Sequence, residues 1–117
     1  MRANTLLACY RVSKDPKRNS PLLIDTYSGI EIGDSINARH YEIMSIWLDG
    51  EKYDAVINSD SAMLALTAQA IPEKEGAIYG EFLIFALSDR LVWRNLRSED
   101  VERIKNSTMK GKLYYSL

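Results

Sequence analysis

The sequence predicts an α+β fold, with a mainly antiparallel, twisted sheet of about six strands and two helices. Three observations support this prediction. The pair Asp49-Gly50 separates two runs rich in β-branched and aromatic residues, as in a hairpin with a two-residue turn. Other short apolar runs follow one another without the regular strand–helix alternation of doubly wound folds. Two further stretches join helix-capping residues to helix formers, and these supply the helices.

The first unit along the chain is predicted to be a hairpin with a basic loop at its tip. Residues 5–12 are apolar and compatible with a strand, and residues 13–20 form a loop in which Pro and Asn are turn formers. Residues 22–27 make the second strand, and Ser28-Gly29 turns the chain. Ile30-Glu31-Ile32 then alternates in polarity, as a short strand does, and stops at Gly33-Asp34.

The Asp49-Gly50 turn predicts a second hairpin, between residues 41–48 and residues 51–57. Both turn positions of a type I′ hairpin need a positive φ, which Asp and Gly tolerate well. Residues 41–48 carry apolar side chains on both faces, which predicts a strand that is central or covered on both sides.

A helix is predicted over residues 62–71, because capping residues at 58–61 precede it and Pro72 ends it. Residues 77–96 admit two interpretations. They form either one long buried helix or a hairpin of residues 78–87 and 90–96 joined at Ser88-Asp89. The aromatic and β-branched content favours the hairpin.

Ser98 is predicted to cap the last helix, with Glu99 and Asp100 in its first turn. The helical spacing turns two apolar residues inward and two basic residues outward, namely Val101 and Ile104, and Arg103 and Lys105. Residues 113–115 then form a closing strand.

Length and composition predict one globular domain over residues 1–117. The longest apolar run, at residues 82–87, is far too short to span a membrane. One cysteine excludes an intramolecular disulfide. The apolar stretch before Cys9 is too short for a secretory signal, so the expected compartment is the cytoplasm of a bacterium or of a host cell.

Charge is nearly balanced in total but unevenly distributed along the chain. Residues 1–20 carry five basic side chains and one acidic, residues 21–89 carry three and twelve, and residues 90–117 carry seven and three. This asymmetry predicts a polarised surface that steers charged partners, or basic segments that fold back over an acidic middle.

No catalytic residue, metal ligand or cofactor site is predicted, and the sequence therefore argues mildly against an enzyme. It has no metal-binding spacing of Cys or His and no Gly-rich phosphate loop. His40 is the only imidazole. A small ligand-binding or catalytic module around His40 is retained as the third functional hypothesis, with a nearby carboxylate such as Asp34, Glu42 or Asp54 to orient the ring.

The first functional hypothesis is a non-catalytic protein-binding module, an inhibitor or adaptor. Seven acidic residues between positions 31 and 60 lie on or beside the 41–57 hairpin, with aromatic residues among them. If they share a face, they form a compact acidic surface for another protein. The predicted binding residues are Tyr41, Trp47, Glu51, Tyr53 and Asp54. Immunity proteins, antitoxins and phage-encoded inhibitors of host machinery have this size and charge, by analogy only.

The alternative hypothesis is nucleic-acid binding by the basic C-terminal third. Aromatic residues interleave there with basic ones, and this combination holds phosphates and stacks bases. The residues predicted to bind are Arg90, Arg94, Arg97 and Lys105. A pI near 5.8 and the absence of a nucleic-acid-binding motif argue against it. A homodimer is compatible with each hypothesis if the strand at residues 5–12 or 113–117 leaves an exposed edge.

Overall fold

The computed structural model describes residues 6–13, 16–27, 29–60, 68–70 and 78–109. In these ranges the chain forms two α-helices, α1 (Ile30–Ser35) and α2 (Ser98–Met109), and a short 3-10 helix at Pro16–Arg18. It also forms the strands β1 (Leu6–Val12), β2 (Ser20–Asp25), β3 (Tyr41–Leu48), β4 (Glu51–Asn58), β5 (Ala68–Ala70), β6 (Ile78–Tyr79), β7 (Phe82–Leu87) and β8 (Trp93–Arg94).

Six strands make one antiparallel sheet in the order β2-β1-β7-β4-β3, and β8 also pairs with β7. Ala86 pairs with both β4 and β8, so β8 lies on the β1 side of β7. Two hydrogen bonds tie the segment after β8 to β1, one from the Leu96 amide to the Ala8 carbonyl and one from the Ala8 amide to Asn95 Oδ1. The short strands β5 and β6 form a separate pair. The predicted α+β fold is therefore confirmed.

All three predicted hairpins are present. β1 pairs with β2 from Leu6↔Asp25 to Arg11↔Ser20, and the link between them contains the exposed residues Lys17 and Arg18. β3 pairs with β4 along its full length, and Asp49 and Gly50 have φ of 51° and 80°, as a type I′ turn requires. β7 and β8 pair antiparallel, which favours the hairpin for residues 77–96, although the first predicted strand, 78–87, is divided into β6 and β7 and only Trp93–Arg94 forms the second.

Each face of the main sheet is covered by one helix. On the back face, α2 places Ile104 in a cluster with residues of β1, β3, β4 and β7, among them Tyr10, Val12, Ile46, Tyr53, Phe82 and Ile84. On the front face, α1 and the turn after it place Ile32 and Ile36 against Cys9, Ile24, Val56, Leu83 and Phe85. Burial on both faces explains why β7 is almost entirely apolar.

The predicted strand at Ile30–Ile32 is wrong, because these residues begin α1. Ile30 is exposed, whereas Ile32 and Ile36 are both buried on the sheet. Their separation by four residues is the spacing of one helix face, and the alternation of only three residues cannot distinguish it from a strand.

The position predicted for β3 is also wrong, because β3 lies at an edge of the sheet and not at its centre. Among its apolar residues, Ile46 and Leu48 on the back face are buried, whereas Ile43 on the front face is 51% exposed. β1, one of the two strands considered as an open edge, lies between β2 and β7.

Two predictions concern residues that are wholly or partly outside the described ranges. The helix expected over residues 62–71 overlaps them only at Ala68–Ala70, where the structure has strand β5 instead. The closing strand at residues 113–115 lies outside them altogether.

The predicted C-terminal helix is confirmed, but two of its details are wrong. The helix begins at Ser98 as predicted, but the amides of Asp100 and Val101 donate to the Arg97 carbonyl, so Arg97 and not Ser98 occupies the N-cap position. Arg103 does not point outward, because it donates to the hydroxyl of Tyr53 on the sheet.

Candidate functional site

The sheet register divides the five residues predicted to bind a protein between its two faces. Residues directly opposite one another on neighbouring strands share a face. Tyr41, Trp47 and Asp54 therefore lie on the front face, whereas Glu51 and Tyr53 lie on the back face. Because Tyr53 is also only 2% exposed, the five residues do not form a single acidic surface.

A different set of side chains comes together on the front face, in the part of the sheet next to β3. Ser45 lies opposite Asp54, and Trp47 lies opposite Lys52. Continuing the register across β7 aligns Lys52 with Leu87, which pairs with Trp93. These residues are half-buried or exposed, and we call them the tryptophan surface: Ile43, Ser45, Trp47, Lys52, Asp54, Leu87 and Trp93.

The helix on the front face does not extend over most of this surface. Trp93 packs against the buried cluster that α1 forms, but Ile43 and Trp47 do not belong to it, and among the described residues no other α-helix lies on the front face. Both tryptophans of the chain are thus displayed on one side of the sheet, at opposite ends of the row that runs from β8 to β3.

Trp93 is held in a fixed orientation. Its ring stacks on Phe85 with ring centroids 3.9 Å apart and an interplanar angle of 11°. Its indole Nε1 donates a 2.8 Å hydrogen bond to Asp54 Oδ2. Asp54 was predicted as a partner-binding residue, and it lies on the surface as the acceptor that orients Trp93. The sequence pointed to Trp93 only as an aromatic among basic residues.

The turn that precedes Trp93 adds two exposed apolar side chains. Leu91 and Val92 are both more than 60% exposed. The turn is closed by backbone hydrogen bonds between Ser88 and these two residues, and the Ser88 hydroxyl accepts from the amides of Arg90 and Val92. Leu91 has a φ of 61°, a conformation that costs a non-glycine residue energy, so the turn is held in place by these bonds.

The back face carries a buried polar cluster instead of an open surface. Asp100, whose side chain is 2% exposed, accepts two hydrogen bonds from Arg94, at 2.7 and 3.3 Å. It also accepts from the Arg97 amide at 2.8 Å and from the Tyr53 hydroxyl at 2.8 Å. Arg103 donates to the Tyr53 hydroxyl in turn. The cluster joins β4, β8 and the first turns of α2.

The hydrogen bonds of this cluster set the protonation of its members. Burial opposes the ionisation of Asp100, but the bonds from Arg94, the Arg97 amide and Tyr53 outweigh it and lower the pKa of Asp100. Burial and the bond to Asp100 raise the pKa of Tyr53 to about 12. At neutral pH the carboxylate is therefore charged and the phenol is neutral.

A polar cavity of about 370 Å³ lies beside the cluster. It is lined by residues from both hypotheses, Glu51 and Tyr53 from the first and Arg94 and Arg97 from the second. Arg94 uses its guanidinium on Asp100, on the Leu87 carbonyl and on the Asn95 carbonyl. The arrangement fixes α2 on the sheet, and it leaves Arg94 poorly placed to bind a phosphate.

The remaining basic residues of the nucleic-acid hypothesis are exposed but dispersed. Arg90 lies in the turn before β8, Arg97 precedes α2, and Lys105 lies on the outer side of α2. Arg97 also approaches Glu99 at 3.9 Å. Of these three residues, only Arg97 lines the polar cavity with Arg94.

His40 is exposed at the start of β3, where its backbone carbonyl accepts a hydrogen bond from the Ser59 amide. A cleft of about 710 Å³ lies nearby, lined by Gly29, Asp34, Arg39 and Tyr41, but the imidazole is not part of its lining. Within the described part of the chain, no three His, Cys, Asp or Glu side chains are grouped closely enough to hold a metal ion.

Comparison with known proteins finds no matching family model, no matching curated protein and no matching solved structure. Among the helices that the structure describes, none is long and apolar enough to cross a membrane.

Proposed function

We propose that this protein is a non-catalytic protein-binding module, an inhibitor or adaptor, and that it binds its partner through the tryptophan surface. The observation that supports this proposal is the display of both tryptophans of the chain on one side of the sheet, where both are half-buried and Trp47 lies outside the cluster that α1 forms. Tryptophan is among the residues most enriched at the energetic centres of protein interfaces.

The dimensions of the surface suit a protein partner. Trp47 and Trp93 are separated by three strand spacings, so their backbones are about 14 Å apart. A pair of large aromatic side chains at this separation anchors the centre of an interface of ordinary size. Trp93 is already fixed by Phe85 and Asp54, so its ordering adds little entropic cost to binding.

The charge of the surface defines the chemistry of the partner. Lys52 and Asp54 contribute one charge of each sign, whereas Glu42 and Glu51 lie on the opposite face of the sheet. The contact is therefore expected to combine two aromatic anchors with one acidic and one basic group that lie between them. The expectation of a strongly acidic binding surface does not fit the placement of these residues.

The test compares two variants in affinity capture from a lysate. Trp47→Ala removes one anchor, and Leu23→Ala is the matched control because Leu23 is 64% exposed on β2, at the far edge of the sheet. The retained proteins are identified by mass spectrometry with and without nuclease. We expect the same protein to be retained, at comparable yield, by the wild type and by Leu23→Ala, and to be lost with Trp47→Ala.

Two results would contradict the proposal. Equal retention by all three proteins would place the contact elsewhere on the molecule. Recovery that depends on intact nucleic acid would favour the exposed basic residues Arg90, Arg97 and Lys105 as the binding groups, and it would show a steep dependence on salt.

A further inference from the structure

We propose that two copies of this chain associate through β3, whose outer edges pair antiparallel about a two-fold axis at Ser45. This inference concerns the edge of the sheet and does not depend on the proposed partner of the tryptophan surface. It rests on the exposure of the β3 edge, on the direction of its backbone groups and on the side chains that the pairing would bring together.

β3 is an edge strand without the usual protection against pairing. It is eight residues long and keeps a regular register with β4, and no strand of the described ranges pairs with its outer side. It has no proline, no bulge and no lysine, and Glu42 is its one charged residue. The other edge strand, β2, is shorter and contains Pro21, which lacks an amide hydrogen. Long, regular, apolar edges are those that pair with another chain.

The hairpin geometry determines which backbone groups of β3 face outward. In a two-residue hairpin the residues that flank the turn, here Leu48 and Glu51, form a hydrogen-bonded pair. Such pairs alternate along an antiparallel ladder. Ile43 and Ser45 therefore direct their N–H and C=O groups away from β4, where a second strand can bond to them.

The sequence of β3 is complementary to itself in this register. With Ser45 opposite the same residue of the second copy, Ile43 lies opposite Trp47 on the front face, and Met44 lies opposite Ile46 on the back face. An aromatic residue opposite a β-branched one is a favourable cross-strand pair. Glu42 lies opposite Leu48, so no like charges are directly opposed. Charge and shape thus favour a second copy as the occupant of this edge.

The test is the oligomeric state of the full chain, measured by sedimentation velocity from about 1 to about 200 µM. We expect the wild type to reach a dimer within this range. Ile43→Lys places a positive charge at the pairing edge. In the dimer this lysine would lie opposite Trp47 of the second copy, whose other neighbour across β4 is Lys52. The variant should therefore weaken association by about tenfold or more. Leu23→Lys puts the same charge on the other edge strand and should leave the dimer intact.

A second variant tests the backbone itself. Ser45→Pro removes an amide hydrogen that faces outward, so it should abolish the dimer while circular dichroism shows a folded chain. A wild type that stays monomeric throughout would overturn the inference, as would equal weakening by the two lysine variants or a folded Ser45→Pro dimer. If Ser45→Pro fails to fold, the comparison of the two lysine variants decides. Sedimentation of the purified chain is measured without any partner, so failure of this inference is distinguishable from failure of the proposed function, which the capture experiment decides.

Discussion

The hydroxyl of Tyr53 on β4 donates a 2.8 Å hydrogen bond to Asp100 in the first turn of α2. These residues are 47 positions apart in sequence, and both are almost fully buried. Asp100 also bonds to the Arg97 amide, where the chain enters the helix. One carboxylate therefore both starts the helix and attaches it to the sheet, which gives this single side chain a large influence on stability.

Replacing Asp100 with Asn should lower the free energy of unfolding by about 2 kcal/mol, because Arg94 loses its charged partner in a largely buried site. Glu99→Gln is the matched control, since Glu99 is the adjacent residue and its side chain is mostly exposed. Its effect should stay within about 0.5 kcal/mol. Urea denaturation measures both values, and similar losses in the two variants would show that the cluster does not hold the helix.

The lowered pKa of Asp100 also predicts how stability depends on acid pH. A group with a lower pKa in the folded state stabilises the fold at pH values above its ordinary pKa of 3.8. That contribution is lost as the pH falls below 3.8 and through the lower pKa of the folded state. Asp100→Asn should flatten this acid dependence, which denaturation at pH 2 to 6 would reveal. An unchanged slope would contradict the assignment.

Tyr53 predicts a loss of stability at alkaline pH. Its pKa rises from 10 to about 12 on folding, so the phenol stabilises the fold below pH 10 and this contribution is lost as the pH approaches 12. Tyr53→Phe should reduce the loss. Part of the alkaline loss of stability should remain in this variant, because the pKa of the buried Tyr10 is also raised. Thermal melts between pH 8 and 12 compare the proteins, and an identical alkaline loss in Tyr53→Phe would be inconsistent with this role.

Two glycines with similar backbone angles should differ in their tolerance of alanine. Gly50, at φ 80°, has nothing near its missing side chain, so Gly50→Ala costs only the strain of the left-handed conformation, about 1 kcal/mol. A Cβ on Gly29, at φ 76°, would lie 2.7 Å from the Tyr41 hydroxyl, and Gly29→Ala should cost more. Tyr41→Phe should recover the difference in a double variant. Equal costs in the single variants would show that Tyr41 adapts freely.

Cys9 should be unreactive in the native protein. It is fully buried on β1, and burial raises its pKa to about 12 although the nearby Arg11 opposes this. A colorimetric thiol reagent at pH 8 should therefore react only as fast as the chain unfolds. Ser59→Cys offers an exposed thiol for comparison and should give an immediate additional signal. Rapid labelling of Cys9 itself would contradict its burial.

The sequence predicted the parts of the fold that depend on local chemistry. The Asp49-Gly50 turn fixed one hairpin because few dipeptides accept two positive φ values. The C-terminal helix was visible from its capping acids and its apolar spacing. The identity of Ile30–Ile32 was not, because alternation and helical spacing coincide over so short a stretch, and only packing on the sheet selects between them.

The candidate site was less predictable, because it depends on which strands become neighbours. Trp47 and Asp54 were recognised, but Tyr53 was grouped with them although adjacent residues of a strand point to opposite faces. The hydrogen bond between Trp93 and Asp54 requires β8 to pair with β7 beside β4, and no local pattern in the sequence indicates this arrangement. The role of Asp100 was only half visible, as an acid in a first turn, since its partners come from β4 and β8.

The central position of β7 has a consequence for the order of folding. β1–β2 and β3–β4 are local hairpins, each able to form within about 1–10 µs. Neither pairs with the other directly, because β7 lies between them in the sheet. During synthesis the two hairpins can join into one sheet only after residues 82–87 have been made. The rate-limiting step is therefore expected to be the docking of this one apolar strand between two preformed ribbons, and mutations in β7 should slow refolding more than they accelerate unfolding.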